Sequence, residues 1–218
     1  MLDKMLSAIA EKFPVTEIDA GDMSKAKASG MTFNIKAYYA KGLGHVSLMS
    51  AKGFFGLMKM DTLIINPTEK DLPLYSYDRI HAMGNDTLIV ELYDTLLGQC
   101  NMDEVKVVKD KYAGLPVHLL GEHWYDSIKL PESVSVKGKG KISVEFDKYA
   151  MEHMMAYLKA TSDAENIDAD AKREKASVYV EGLLKNGGPS TDVFKKAIGD
   201  DKTSYLFRKI LFGTENIL

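Results

Sequence analysis

The side chain best placed for acid–base chemistry is Asp78, in the stretch LPLYSYDRIHAMG that begins at Leu72. Two tyrosines precede it and His81 follows three residues later. A carboxyl group that is removed from water has a raised pKa, because a low dielectric penalises its charged form. Such a group can donate a proton near neutral pH. Asp78 is therefore a candidate proton donor, and the alternative is a structural carboxylate bonded to the backbone or to Arg79.

The elements around Asp78 are two predicted strands, 74–82 and 87–94, joined by a turn at Gly84-Asn85-Asp86. Alternate side chains of a strand point to opposite faces of its sheet. His81 is an odd number of residues from Asp78, so we expect these two side chains on opposite faces. His81 is therefore an unsuitable partner for Asp78.

Further segments alternate in the manner of strands at 31–40, 45–51 and 53–66. Short connections between consecutive strands predict an antiparallel meander, because parallel strands need long crossovers. Residues 20–30 are predicted to be a polar connector. The segment 134–146 fits either a hairpin around Gly138–Gly140 or an exposed basic loop. If the segment 134–146 adds to the sheet, the sheet has about six strands.

Helical patterns occupy the two ends of the chain. Apolar residues recur at helical spacing in an N-terminal segment, 1–13, and Pro14 ends it. Caps and stop signals predict helices at 101–114, 148–161, 168–186, 190–199 and 200–213. Strands followed by helices predict an α+β fold. We expect one domain over 1–218, with the sheet at about 31–98, a mixed region at 99–146 and helices at 147–213.

Composition excludes several classes of function. The 218-residue chain has a net charge of −3, which argues against a general nucleic-acid binder. Its single cysteine, Cys100, cannot support a disulfide within the chain or a cysteine-based cluster, and we expect a buried free thiol. No apolar run is long enough to span a bilayer and the first residues do not resemble a signal peptide, so a cytoplasmic protein without membrane partners is expected.

Familiar cofactor and metal motifs are also missing from the sequence. It contains no GxGxxG after a strand, no P-loop, no HExxH and no GxSxG. The five histidines lack the close spacing typical of metal ligands. His118 and His123 are near in sequence, but two separate surface histidines are the better interpretation. What remains is a set of carboxylates, histidines and aromatic residues on a sheet.

Three collinear stretches resemble the ferredoxin-dependent bilin reductases. DLPLYSYDRIHAMGNDTLIVELYD (71–94) is similar to their Pro–aromatic–Asp strand and the strand that follows. HWYDSIKLPESVSVKG (123–138) with SVEFDKYAMEHMMAYLKA (143–160) is similar to their Trp segment and Phe-x-x-Tyr helix. Residues 173–213, which end in Leu-Phe-Gly, are similar to their closing helices. The fold is shared with red chlorophyll catabolite reductases.

The resemblance implies a three-layer α/β/α sandwich with a central antiparallel sheet and helices on both faces. It implies that a linear tetrapyrrole binds between the sheet and the C-terminal helices. Members of this family use no flavin, nicotinamide or metal, so no cofactor is expected. Electrons come singly from reduced ferredoxin, and the protein supplies protons to a bilin radical. Asp78 stands at the position of the family's proton donor.

The family's strand before this aspartate often carries a histidine, and the segment 53–66 has none. His45 or Asp61 is therefore a candidate for the proton relay. The propionates of a bilin need cations, and its rings need flat contacts. The candidates for those contacts are Tyr75, Arg173, Lys175, Arg208 and Lys209.

Two alternatives to a reductase remain. The missing strand histidine favours a non-catalytic binding protein for a tetrapyrrole or another planar hydrophobic ligand. An interaction module without a small ligand would use the methionine-rich run 151–160 as a partner surface, although core packing explains that run better. A cavity between the sheet and the helices would favour the first two interpretations over the third.

Overall fold

The computed structural model describes residues 1–215, and within them a single eight-stranded antiparallel sheet forms the centre of the fold. The strands are β1 (Val15–Ile18), β2 (Lys25–Ala28), β3 (Met31–Ala40), β4 (Gly44–Gly53), β5 (Met58–Pro67), β6 (Leu74–Ala82), β7 (Asn85–Tyr93) and β8 (Val134–Gly138). They are ordered β1-β3-β4-β5-β6-β7-β8, and β2 pairs with the other half of the same edge of β3.

The expectation of about six strands was too low. The strands β1 and β2 have four residues each, which is too short for a clear alternating pattern, and β2 lies inside the predicted polar connector. The segment 134–146 is neither a hairpin nor a loop. Its first part is β8, and helix α3 begins at Lys141, seven residues before the prediction. Gly140, with a φ of 60°, separates these two elements.

The helices in the described residues are α1 (Leu2–Ala10), α2 (Asp103–Lys111), α3 (Lys141–Ala160), α4 (Ala169–Asn186), α5 (Pro189–Ile198) and α6 (Asp200–Tyr205). A π-helical turn, Leu206–Leu211, continues α6, so the predicted helix 200–213 changes its winding halfway. None of these helices combines the length and the apolar character needed to cross a bilayer. The division into one domain stays a prediction.

Two apolar clusters cover the two faces of the sheet. On one face, α1, α2 and α3 pack against side chains such as Leu63, Tyr77 and Leu88. On the other, α4, α5 and the π-helical turn pack against side chains such as Ile35, Met49 and Ile64. Strand alternation assigns every strand residue to one of these faces. We call the first the α3 face and the second the α4 face.

A buried ion pair ties α4 to one end of the sheet. Lys172 is fully buried, and its Nζ lies 2.9 Å from Asp71 Oδ1 and donates to the Thr95 carbonyl at 2.6 Å. Asp71 also accepts from the backbone N–H groups of Leu97 and Gly98. The lysine burial is tolerated because its charge is paired with Asp71 and two of its three N–H groups have acceptors. The pair holds α4 at a set position over the α4 face.

Candidate active site

A cavity of about 360 Å³ opens between the α4 face of the sheet and the helices that cover it. The strands β4 to β7 form its floor, and α4, the start of α5 and the π-helical turn form its roof. The segment 118–125 closes one side. Two carboxyl groups, those of Asp78 and Glu91, project from the floor, and apolar and aromatic side chains form most of the remaining wall.

Asp78 lies in the middle of this floor because β6 places it directly opposite Thr62 of β5. The Thr62 hydroxyl donates a hydrogen bond to Asp78 Oδ1 at 2.5 Å. Burial raises the pKa of Asp78 to about 6; the Thr62 bond opposes this shift and the charge of Glu91 adds to it. A carboxyl group with such a pKa exchanges a proton close to neutral pH.

The structural alternative for Asp78 is a bond to the backbone or to Arg79, and Arg79 points elsewhere. Its guanidinium pairs with Asp86 at 3.0 Å and with Asp147 at 3.1 Å, on the α3 face. His81 also lies on that face, where Nδ1 is 3.2 Å from Asp86 Oδ1. Within the described residues, Thr62 is the hydrogen-bond partner of the Asp78 carboxyl group.

Glu91 is the second acid of the cavity, and the sequence interpretation missed it. Its Oε1 lies 2.8 Å from Lys129 Nζ, and its Oε2 accepts a hydrogen bond from the Tyr93 hydroxyl at 2.5 Å. Lys129 also pairs with Asp126 at 2.9 Å. The signal was present in the sequence: Glu91 interrupts the apolar run LIVELY and, two residues from Ile89, shares the face of Asp78.

Aromatic rings line the cavity next to Glu91. Tyr93 and Tyr179 stack with 4.3 Å between ring centroids, and Tyr125 meets Tyr93 edge-on at 5.7 Å. Trp124 packs edge-on against Tyr125 at 5.3 Å. Burial raises the pKa of Tyr93 and Tyr179 well above the usual value, so their hydroxyls stay protonated. The cluster presents flat apolar surface beside acidic groups.

Both histidines expected on the surface line the cavity instead. His118 and His123 belong to its closing segment, and His123 stacks on Tyr125 with 4.9 Å between ring centroids. Their spacing in the sequence carried no sign of this, because the closing segment is irregular. Within residues 1–215, no cluster of three or more His, Cys, Asp or Glu side chains could hold a metal ion.

The expected relay residues lie away from Asp78. His45 shares the α4 face but is two strands away and buried, with Nε2 2.8 Å from the Ile210 carbonyl oxygen. Burial lowers the pKa of His45 to about 4, so its ring is neutral at physiological pH. Asp61 precedes Thr62 and therefore points to the α3 face. Neither side chain lines the cavity.

The expected ligand contacts also lie outside the cavity wall. Tyr75 is fully buried on the α3 face, where it packs against Tyr157 with 4.8 Å between ring centroids. The four predicted cations belong to the outer surfaces of the covering helices: Arg173 pairs with Asp170, Arg208 with Glu181, Lys209 lies over the Tyr205 ring, and Lys175 is exposed. Within the described residues, no lysine or arginine lines the cavity.

Comparison with solved structures finds a similar fold. A phytochromobilin synthase from tomato, in complex with biliverdin, matches with a TM-score of 0.76 and 14% sequence identity. The match covers 98% of this chain and 82% of the tomato chain. No protein-family model matches the sequence, and the search of curated proteins found no match either. At this identity the likeness establishes a fold in common with the tomato protein.

Proposed function

We propose that this protein binds a linear tetrapyrrole in the cavity on the α4 face and reduces it with Asp78 as a proton donor. One observation carries the proposal: a carboxyl group with a pKa near 6 stands in the floor of a largely apolar cavity. The tomato synthase was solved with biliverdin, which supports a ligand of the same class. The apolar clusters on both faces of the sheet support a three-layer sandwich around this site.

The chemistry follows from burial. A bilin that takes up one electron becomes a radical anion, and its basicity rises. A planar ligand over Asp78 would exclude water, which raises the pKa of Asp78 further and keeps the carboxyl group protonated. The proton then moves to the reduced ligand, and a new proton from bulk water replaces it on Asp78. Each reduced double bond needs two electrons and two protons, and ferredoxin is the proposed one-electron donor.

Thr62, not His45 or Asp61, is the side chain beside Asp78, and it positions the carboxyl group rather than relaying protons. Its hydroxyl is the group that contacts Asp78, and it orients the carboxyl group toward the cavity. A relay through Asp61 would have to cross the sheet, and one through His45 would have to span two strands. We therefore propose that solvent water reprotonates Asp78 after each transfer.

An absorption experiment tests the proposal. Purified protein is mixed with biliverdin, and the visible spectrum is recorded before and after reduced ferredoxin is added. We expect a shifted biliverdin band on mixing and a second change during reduction, with a product that is separable by chromatography. No spectral change on mixing at about tens of micromolar protein would contradict the proposed ligand.

A non-catalytic tetrapyrrole-binding protein is the second candidate, and one observation favours it. Thr62 occupies the position opposite Asp78, and a threonine hydroxyl cannot act as an acid or base near pH 7. This candidate predicts the first spectral change without the second. A stable biliverdin complex that resists both ferredoxin and a strong chemical reductant would support it over the reductase.

A further inference from the structure

The cavity has a second polar region, opposite its acidic floor, at the beginning of α5. We propose that this helix N-terminus, with the side chain of Thr191, is a subsite for a carboxylate of the ligand. The inference rests on the proposed tetrapyrrole ligand and names the part of it that binds here, a propionate group. The subsite supplies hydrogen-bond donors for an anion in a cavity whose wall, over residues 1–215, has no lysine or arginine.

The first turn of α5 has backbone N–H groups without hydrogen-bond acceptors within the helix. Gly188 is the N-cap residue and has no side chain to accept from the first turn, and Pro189 has no N–H group. Asp192 is the first residue whose N–H reaches back, to the Gly188 carbonyl at 3.0 Å. The N–H groups of Ser190 and Thr191 therefore lack intrahelical acceptors. Free N–H groups and the helix dipole together favour an anion at this end.

The side chain of Thr191 supports the subsite independently of the helix N-terminus. It is only 1% exposed, it lines the cavity, and its Oγ1 has no hydrogen-bond partner within the described residues. Buried polar groups without a partner are costly and rare in folded proteins. The threonine hydroxyl and the two N–H groups lie on the same turn of helix. All three donors belong to the cavity-lining residues Ser190 and Thr191, and in the proposal they bind one oxyanion.

The neighbouring residues hold this turn against the cavity. The Trp124 indole N–H donates to the Gly187 carbonyl at 3.0 Å, which ties the α4–α5 connection to the closing segment. The Trp124 ring packs against Gly182, where an added Cβ would lie 2.1 Å from it. Gly187 has a φ of 84°, which permits the sharp change of direction between the two helices. The helix N-terminus is therefore positioned by packing before any ligand binds.

The acidic groups near the start of α5 are screened, paired or partly protonated, which limits their repulsion of an anion. The first-turn acid Asp192 is exposed and its carboxylate lies against Gly187, so water screens its charge. Glu91 is paired with Lys129 at 2.8 Å, and Asp78 is partly protonated near pH 6. The floor of the cavity therefore carries acidic groups, whereas the roof carries hydrogen-bond donors that favour an anion. A ligand with a conjugated centre and a carboxylate tail matches that division.

Biliverdin and its dimethyl ester test the subsite, because the ester has no carboxylate. We expect the wild-type protein to bind biliverdin about tenfold more tightly than the ester, since a hydrogen bond to a charged group contributes about 1.5 kcal/mol or more. Thr191→Val should weaken biliverdin binding by about the same factor and leave ester binding unchanged. Thr191→Ser keeps the hydroxyl and should restore biliverdin affinity, which separates the donor from a packing effect.

The control variant is Lys209→Ala, which removes a cation outside the cavity and should leave both affinities unchanged. Equal affinity of biliverdin and ester for the wild type, or equal loss of both with Thr191→Val, would overturn the subsite and leave the tetrapyrrole proposal standing. Failure of the wild type to bind either compound would contradict the tetrapyrrole proposal and the subsite with it. Because biliverdin and its ester are compared on the wild-type protein, this part of the test does not depend on whether a variant folds.

Discussion

The two faces of the sheet use the same strands for opposite purposes. Tyr77 and Asp78 are neighbours on β6, yet Tyr77 is fully buried in the α3 face while Asp78 stands in the cavity of the α4 face. On β7, Leu88 is likewise fully buried on the first face and Ile89 lines the cavity on the second. The α3 face is filled by side chains of α1 and α3, and the α4 face leaves a hollow.

The difference shows how one sheet separates stability from chemistry. A filled face contributes apolar burial, at about 25 cal/mol per Å² removed from water. A hollow face forgoes part of that contribution and keeps carboxyl groups in a region of low dielectric. Because strand residues alternate, adjacent positions can serve the two purposes independently. Substitutions at neighbouring residues should therefore affect different properties, which the following predictions test.

The largest expected effect is on turnover. Asp78→Asn removes the proton donor and should slow biliverdin reduction by about 100-fold or more, the usual contribution of a general acid, while biliverdin still binds. Asp61→Asn, a change of the same chemistry on the opposite face one strand away, should leave the rate unchanged. Single-turnover absorbance with reduced ferredoxin measures both. An unimpaired Asp78→Asn would exclude this residue as the donor.

The next effect is on stability, and it compares neighbours on β7. Leu88→Ala on the filled face should lower the free energy of unfolding by about 2–5 kcal/mol, because a packed core closes poorly around the lost side chain. Ile89→Ala in the cavity wall should cost clearly less, since that side chain already borders empty space. Urea denaturation of the two variants provides the comparison. Equal losses would show that the α4 face is packed as tightly as the other.

A smaller effect concerns the pH dependence of unfolding. The pKa of Asp78 rises from 3.8 to about 6 on folding, so the folded state binds this proton more tightly than the unfolded state. The stabilising contribution is complete below pH 3.8 and is lost as the pH rises through 6. Asp78→Asn removes the loss, so the variant should exceed the wild type in stability at pH 8 by up to about 3 kcal/mol. Urea midpoints at several pH values measure it, and parallel curves would contradict a raised pKa.

The smallest expected effect isolates Glu91. Its negative charge contributes to the raised pKa of Asp78, so Glu91→Gln should lower that pKa. The pH profile of turnover should shift toward acid by the same amount, with little change in biliverdin affinity. Asp86→Asn, which removes a carboxylate from the α3 face of the same strand, is the matched control. An identical shift in both variants would point to a general charge effect.

Local sequence signals were sufficient for the elements with strong patterns. The strands 31–40 and 74–82 and the long helix at 168–186 agree with the structure to within a residue or so, because period and stop signals are local. The short strands β1 and β2 and the early start of α3 did not follow from such signals. A four-residue strand forms through its partner, and a helix that begins with KISVEF has few helix-start residues.

Some features of the candidate site likewise follow from local sequence, and others depend on the packing of distant elements. Position along a strand determined that Asp78 and His81 point to opposite faces, since alternation is a property of the backbone. The same alternation places Asp61 on the opposite face from Asp78, which argues against Asp61 as a relay residue. Which cations reach the cavity depends on the orientation of the covering helices, and the sequence does not encode this locally. The predicted arginines and lysines accordingly lie on outer helix surfaces.

The sequence by itself determined a β-rich first half, a helical second half, and a carboxyl group in an aromatic strand. Only the tertiary structure decided that this carboxyl group faces a cavity, that Glu91 and Thr191 share it, and that Thr62 is the hydrogen-bond partner of Asp78. The physical reason is the distance along the chain between the interacting residues. Strand and helix patterns come from neighbours a few residues apart, whereas a desolvated acid requires walls from β5, β6, α4 and α5, which are brought together only by folding.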